Sequence, residues 1–96
     1  MLTNNLDQLR KASREGYAIP AINTQGGNYD IIMGICKAAE ELKSPIILAH
    51  YVSTGAFSGH DWFVNVAKWC AGKVSVPVSI HLDHGDGFPI CMEALR

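Results

Sequence analysis

The chain has 96 residues, a formal net charge of −1, 48% hydrophobic residues and 18% charged residues. This length suits one small domain, and the composition is typical of globular rather than disordered proteins. Its basic residues are spread out and no apolar run reaches the roughly 20 residues of a membrane span, so we expect neither nucleic acid nor membrane as a partner. The three cysteines fit neither a disulfide framework nor a CxxC zinc motif. Because the N-terminus lacks a signal-peptide pattern, we expect a cytoplasmic protein with reduced thiols.

The first half of the chain predicts two helices around a short strand. A helix is predicted over residues 5–15 and is ended by Gly16. A strand follows over residues 17–22, in which Pro20 favours an early or edge-like position. After a polar loop, apolar residues at helical spacing predict a second helix over residues 28–42.

The second half repeats this alternation. Residues 45–49 form a wholly apolar run, as expected for a parallel strand that is covered on both faces. A loop over residues 50–59 leads to a third helix over residues 61–72. A third strand is predicted over residues 76–82, and a fourth helix begins near residue 88.

Alternating strands and helices predict an α/β fold with a parallel sheet, right-handed crossovers and strand order 1-2-3. A closed (β/α)₈ barrel takes about 250 residues. The fourth helix has no stop signal before Arg96. We therefore expect residues 1–96 to be the N-terminal part, about three βα units, of a TIM barrel. A complete small open-sheet domain is the alternative.

The segment His81-Leu82-Asp83-His84-Gly85 is the main candidate site, because it places two imidazoles and a carboxylate at the end of a buried strand. His84 is the best candidate metal ligand, and Asp83 is the candidate acid–base group. A strand-end hydrogen bond is the alternative role for Asp83. In an extended strand these two side chains point to opposite faces. A single site therefore requires a bend, which Gly85 allows.

Other polar residues have weaker signals. We expect His81 to be a hydrogen-bonded interior histidine that supports the site. His50 ends the second strand, where it can face the same rim, and His60 is expected on a loop surface. Residues 85–87 favour a turn over a phosphate loop, and residues 53–55 favour a plain loop over a substrate contact.

Three segments together resemble the class II fructose-bisphosphate aldolase family, with the tagatose-bisphosphate branch closest in pattern. They are Ala21-Ile22-Asn23, residues 43–48 and residues 76–85. The resemblance implies a zinc-dependent (β/α)₈ barrel that reversibly cleaves a ketose bisphosphate into dihydroxyacetone phosphate and an aldehyde. It also implies a phosphorylated sugar as substrate and a homo-oligomer at full length.

The resemblance assigns roles to individual residues. Asp83 matches the catalytic proton donor, His84 matches a zinc ligand, and Asn23 matches an asparagine near the substrate. Tyr51 stands where the family usually has a serine or threonine, which leaves that contact and the sugar open. The remaining zinc and phosphate ligands are expected beyond Arg96. The functional alternatives are a non-catalytic truncated remnant and a small open-sheet domain that binds an anion.

Overall fold

The structure, a computed structural model, describes residues 1–96. None of its helices combines the length and the apolar character that a membrane span requires. Its eight elements, in chain order, are α1 (Asn5–Glu15), β1 (Ala21–Asn23), α2 (Tyr29–Glu41), β2 (Ile46–Tyr51), α3 (Val52–Gly55), α4 (His60–Ala71), β3 (Val78–Asp83) and α5 (Phe88–Leu95).

The three strands form one parallel sheet in the order β1-β2-β3, which confirms the predicted topology. Asn23 lies opposite Ala49, and Tyr51 lies opposite Asp83. Consecutive parallel strands joined by helices are the arrangement expected for the N-terminal part of a TIM barrel. Because the strands are parallel and in this register, their carboxyl ends meet at one edge of the sheet.

The first strand is shorter than predicted. β1 covers only residues 21–23. The N–H groups of Gly16 and Tyr17 both donate to the carbonyl of Ala12 at the end of α1, at 2.9 and 3.1 Å. Pro20 has no N–H group and contributes only its carbonyl, which accepts from the N–H of Ile47 at 3.0 Å.

The third strand also begins later than predicted, and the loop after β2 contains a helix. The N–H of Val76 donates to the carboxylate of Glu40 at 3.0 Å, and Pro77 has no N–H, so β3 starts at Val78. The four residues of α3 lie inside the predicted loop over residues 50–59. A helix of one turn has too few residues to show a helical period.

The core lies between one face of the sheet and helices α2 and α4. The buried residues of this core come from both the sheet and the helices. They include Ile32, Leu48, Phe63, Ala67 and Val78. Side chains alternate along a strand. Ile46, Leu48 and His50 therefore face the helices, whereas Ile47, Ala49 and Tyr51 face the opposite side.

Helix α1 lies on that opposite side of the sheet. The Asn5 side chain accepts a hydrogen bond from the Ser79 hydroxyl and donates to the carbonyl of Ile80 at 3.1 Å. Ala12 is its buried residue. Asn4 caps the helix by accepting from the N–H of Asp7 at 3.0 Å.

Candidate active site

The candidate site is a group of polar side chains at the carboxyl end of β3. The Asp83 carboxylate lies between two imidazoles: Oδ1 is 3.8 Å from Nε2 of His81, and Oδ2 is 3.7 Å from Nε2 of His84. The Asp83 side chain is 37% exposed and that of His84 is 70% exposed. The carboxylate is thus accessible from solvent while it stays within reach of both rings.

The bend that brings Asp83 and His84 together occurs at His84 itself. His84 has a φ of 56°, in the left-handed region. For a residue with a side chain this conformation costs roughly 1–2 kcal/mol. The extended alternation therefore ends at Asp83, and the bend lies at His84, one residue before Gly85, where we expected it.

Tyr51 joins this group from the neighbouring strand. It is the last residue of β2 and lies opposite Asp83 in the parallel register. Its ring meets the imidazole of His84 edge to face, with ring centres 4.9 Å apart and an interplanar angle of 61°. Sequence reasoning noted Tyr51 only as a departure from the family, because nothing local to residue 51 indicates a contact with residue 84.

His81 differs from its expectation. Its side chain is 49% exposed, so it is not an interior histidine. It shares the face of β3 with Asp83, since the two residues are two positions apart in a strand. The 3.8 Å separation places His81 beside the carboxylate, on the open side of the sheet.

His50 and His60 also lie elsewhere than the sequence predicted. His50 faces the helices rather than the rim: it is 2% exposed and stacks on Phe63 with ring centres 4.3 Å apart. His60 is the first residue of α4, and its Nδ1 lies 3.0 Å from Nε2 of His50. Burial, and then the neighbouring His60, lower the pKa of His50.

The remaining candidates lie close to the same edge of the sheet. Asn23 ends β1, and its side-chain oxygen accepts from the N–H of Gln25 at 2.7 Å. Residues 53–55 belong to α3, where the Thr54 hydroxyl donates to the carbonyl of Tyr51 at 3.1 Å. Residues 85–87 belong to the short connection from β3 to α5.

The donor set fits part of a metal site. His84 offers an exposed imidazole and Asp83 a carboxylate, which are the nitrogen and oxygen donors that zinc takes. No three histidine, cysteine, aspartate or glutamate side chains of the chain are arranged to hold a metal ion. A catalytic zinc takes about three protein ligands, so His84 and Asp83 alone are fewer than such a set needs.

Known proteins resemble this chain along nearly its whole length. A fructose-bisphosphate aldolase from Thermus caldophilus is 42% identical over 97 residues, which cover 100% of this chain and 30% of that protein. A probable fructose-bisphosphate aldolase from Bacillus subtilis (strain 168) is 38% identical over 100 residues. The crystal structure of the YdjI aldolase from Escherichia coli K12 superimposes with a TM-score of 0.87 at 32% identity.

Each of these matches covers nearly all of this chain but only about a third of the relative. The YdjI superposition covers 99% of this chain and 35% of that chain. The chain thus spans about a third of the length of the relatives that it matches. The model of the family "Fructose-bisphosphate aldolase class-II" matches residues 3–96. Since that match covers all but the first two residues, the chain belongs to the class II fructose-bisphosphate aldolase family.

Proposed function

We propose that the protein is a zinc-dependent aldolase that reversibly cleaves a ketose bisphosphate into dihydroxyacetone phosphate and an aldehyde. The observation that carries this proposal is the Asp83 carboxylate, which lies between His81 and His84 at the carboxyl end of a parallel strand. Active sites of βα barrels lie at this end of their strands. Family membership and the names of the relatives support the reaction class.

In this proposal Asp83 moves the proton. Aldol cleavage requires removal of the proton from the C4 hydroxyl of the ketose, and condensation returns it to the aldehyde oxygen. A carboxylate that is partly exposed can reach a substrate oxygen, and it can act as base in one direction and as acid in the other. The β3 backbone holds this carboxylate on the open side of the sheet, opposite the side that packs against α2 and α4.

His84 is the proposed metal ligand. When bound, zinc would polarise the ketone oxygen and stabilise the negative charge that develops there. The imidazole of His84 would hold the metal through a nitrogen that is accessible from solvent. The short distance to Asp83 would keep the proton-transferring group beside the metal.

The finer assignments are also proposals. The substrate is a phosphorylated sugar of the fructose or tagatose type; the relatives are named fructose-bisphosphate aldolases, whereas the sequence pattern favours the tagatose branch. We further propose a homo-oligomer in the cytoplasm. Family membership argues against an unrelated open-sheet domain that binds an anion, and a non-catalytic remnant remains the second candidate.

Metal analysis of His84→Ala, together with a cleavage assay, tests the proposal. We expect this variant to lose stoichiometric zinc and aldol cleavage together. Lys37→Ala is the control, because Lys37 is an exposed residue of α2, on the helix side of the sheet. One tight zinc per chain in His84→Ala would contradict the ligand assignment. A wild-type protein with neither zinc nor cleavage activity would favour the non-catalytic remnant.

A further inference from the structure

We propose that Tyr51 is a positioning residue whose ring holds the imidazole of His84 in the orientation in which His84 binds a divalent metal ion. This inference rests on the proposed function, in which that ion is zinc. It starts from the edge-to-face contact between the two rings, whose centres are 4.9 Å apart. This geometry places the positive edge of one ring against the negative face of the other, which is a preferred arrangement for aromatic pairs.

His84 needs such a neighbour because little else restrains it. Its side chain is 70% exposed, and it sits just beyond the last residue of the strand. An exposed imidazole samples several rotamers and loses that freedom when it binds a metal ion. A ring that already favours one orientation lowers this cost. The Asp83 carboxylate, 3.7 Å away, limits the imidazole on one side, and Tyr51 limits it on another.

Tyr51 is itself well placed to restrain another ring. Its backbone pairs with β3 opposite Asp83, and its carbonyl accepts from the Thr54 hydroxyl at 3.1 Å. The preceding residue, His50, is anchored on the helix side by its stack on Phe63 and its bond to His60. Because successive strand side chains point to opposite faces, this anchor directs Tyr51 toward the face that carries Asp83.

Nuclear magnetic resonance of the His84 ring protons tests the contact, and zinc titration followed at the same resonances tests the role. In Tyr51→Leu we expect loss of the ring-current shift of His84 and a zinc affinity that is lower by about 2- to 10-fold, the range of one aromatic pair. Tyr51→Phe should keep both properties, because the ring and not the hydroxyl makes the contact. Tyr17→Leu is the control. Tyr17 is an exposed tyrosine that precedes the amino end of β1, whereas His84 follows the carboxyl end of β3.

Several results would show that Tyr51 does not position His84. Unchanged His84 resonances in Tyr51→Leu, or no Overhauser effect between the two rings in the wild-type chain, would overturn the inference. So would equal zinc affinities of the wild type and Tyr51→Leu, or a Tyr51→Phe variant as weak as the leucine variant. If Tyr51→Leu fails to fold, the phenylalanine variant and the wild-type Overhauser effect still decide. A ring contact without any zinc shift of His84 would instead contradict the proposed metal role, and with it this inference.

Discussion

His84 combines three features: a left-handed backbone, an exposed imidazole and an aromatic neighbour from another strand. A non-glycine residue in this conformation is strained, and strained residues cluster at functional sites because the surrounding structure must enforce them. The backbone strain of His84 thus agrees with the proposed role of His84 as a ligand.

The sequence predicts the identity of these residues better than their arrangement. Asp83 and His84 stand out in the sequence because they are polar residues at the end of a buried apolar run. In the structure, Oδ2 of Asp83 lies 3.7 Å from Nε2 of His84. The bend at His84, the exposure of His81 and the approach of Tyr51 depend on contacts between strands. Such contacts leave no local pattern in a sequence, so neither spacing nor composition predicts them. The roles of Asp83 and His84 remain predictions.

Gly55 lies against the buried ring of His50. A Cβ at this position would lie 2.2 Å from Cε1 of His50, a ring that is held by Phe63 and His60. Gly55→Ala should therefore destabilise the chain by about 1–3 kcal/mol, the usual cost of overpacking. The control is Gly34→Ala, in an exposed part of α2 where no atom lies within 4 Å of the new Cβ.

Chemical denaturation of both variants measures the effect. Gly34→Ala should stabilise the chain by about 0.5–1 kcal/mol, because alanine is the better helix former. Equal stability of Gly55→Ala and the wild type would show that the His50 ring is free to move away. That result would also argue against the His50 ring as the anchor that orients Tyr51.

The alternation of apolar runs predicts the order, type and parallel pairing of the strands correctly. The predicted starts of β1 and β3 were wrong, because a helix end and a side chain accept hydrogen bonds from backbone N–H groups that longer strands would use. Tyr17 completes the end of α1 instead of beginning a strand, and Val76 bonds to Glu40 instead of to the sheet. His60 was expected on a loop because its partner, His50, lies ten positions earlier and meets it only in the folded chain.

Glu40 connects α2 to the segment that leads into β3. Its carboxylate accepts from the N–H and hydroxyl of Ser75, at 2.9 and 2.7 Å, and from the N–H of Val76 at 3.0 Å. These bonds, first of all that of the Ser75 hydroxyl, lower the pKa of Glu40 from its usual 4.5. Glu40→Gln should therefore lower the free energy of unfolding at neutral pH, whereas Glu41→Gln, on the exposed neighbour, should not.

The pH dependence of this contribution has a definite sign. Because the folded-state pKa lies below the unfolded value, the stabilisation is complete above pH 4.5 and is lost as the pH falls through the lower folded pKa. Unfolding measured from neutral to acidic pH should show the wild type and Glu40→Gln converging. A constant difference between them across that range would contradict the role of the ionised carboxylate.

The three-stranded sheet and its helices leave several large apolar side chains exposed. Phe57 is 100% exposed, and Phe88, Leu95 and Leu42 are each more than three-quarters exposed. The outer strands β1 and β3 have no further strand beside them, apart from a bridge between Leu2 and Val78. Open strand edges and exposed apolar side chains both favour association.

We therefore expect the 96-residue chain by itself to self-associate at micromolar concentrations. Sedimentation velocity over a range of concentrations should show a mass that increases with concentration. The association should weaken when Phe88 is replaced by Asp, because this removes an exposed apolar ring. A chain that stays monomeric and unfolds cooperatively at high temperature would contradict this expectation.

In the proposed reaction, Asp83 transfers the proton of aldol cleavage beside a metal that His84 would hold. Steady-state kinetics of Asp83→Asn in the active protein, with a parallel zinc assay, tests this role of Asp83. Asparagine keeps the shape of aspartate but cannot exchange a proton, so kcat should fall by about 10²–10⁴-fold. Zinc content and fold should stay nearly unchanged, and Asp86→Asn, in the exposed connection that follows, should retain its activity. Near-normal turnover of Asp83→Asn would contradict this role, since another group would then be the proton donor.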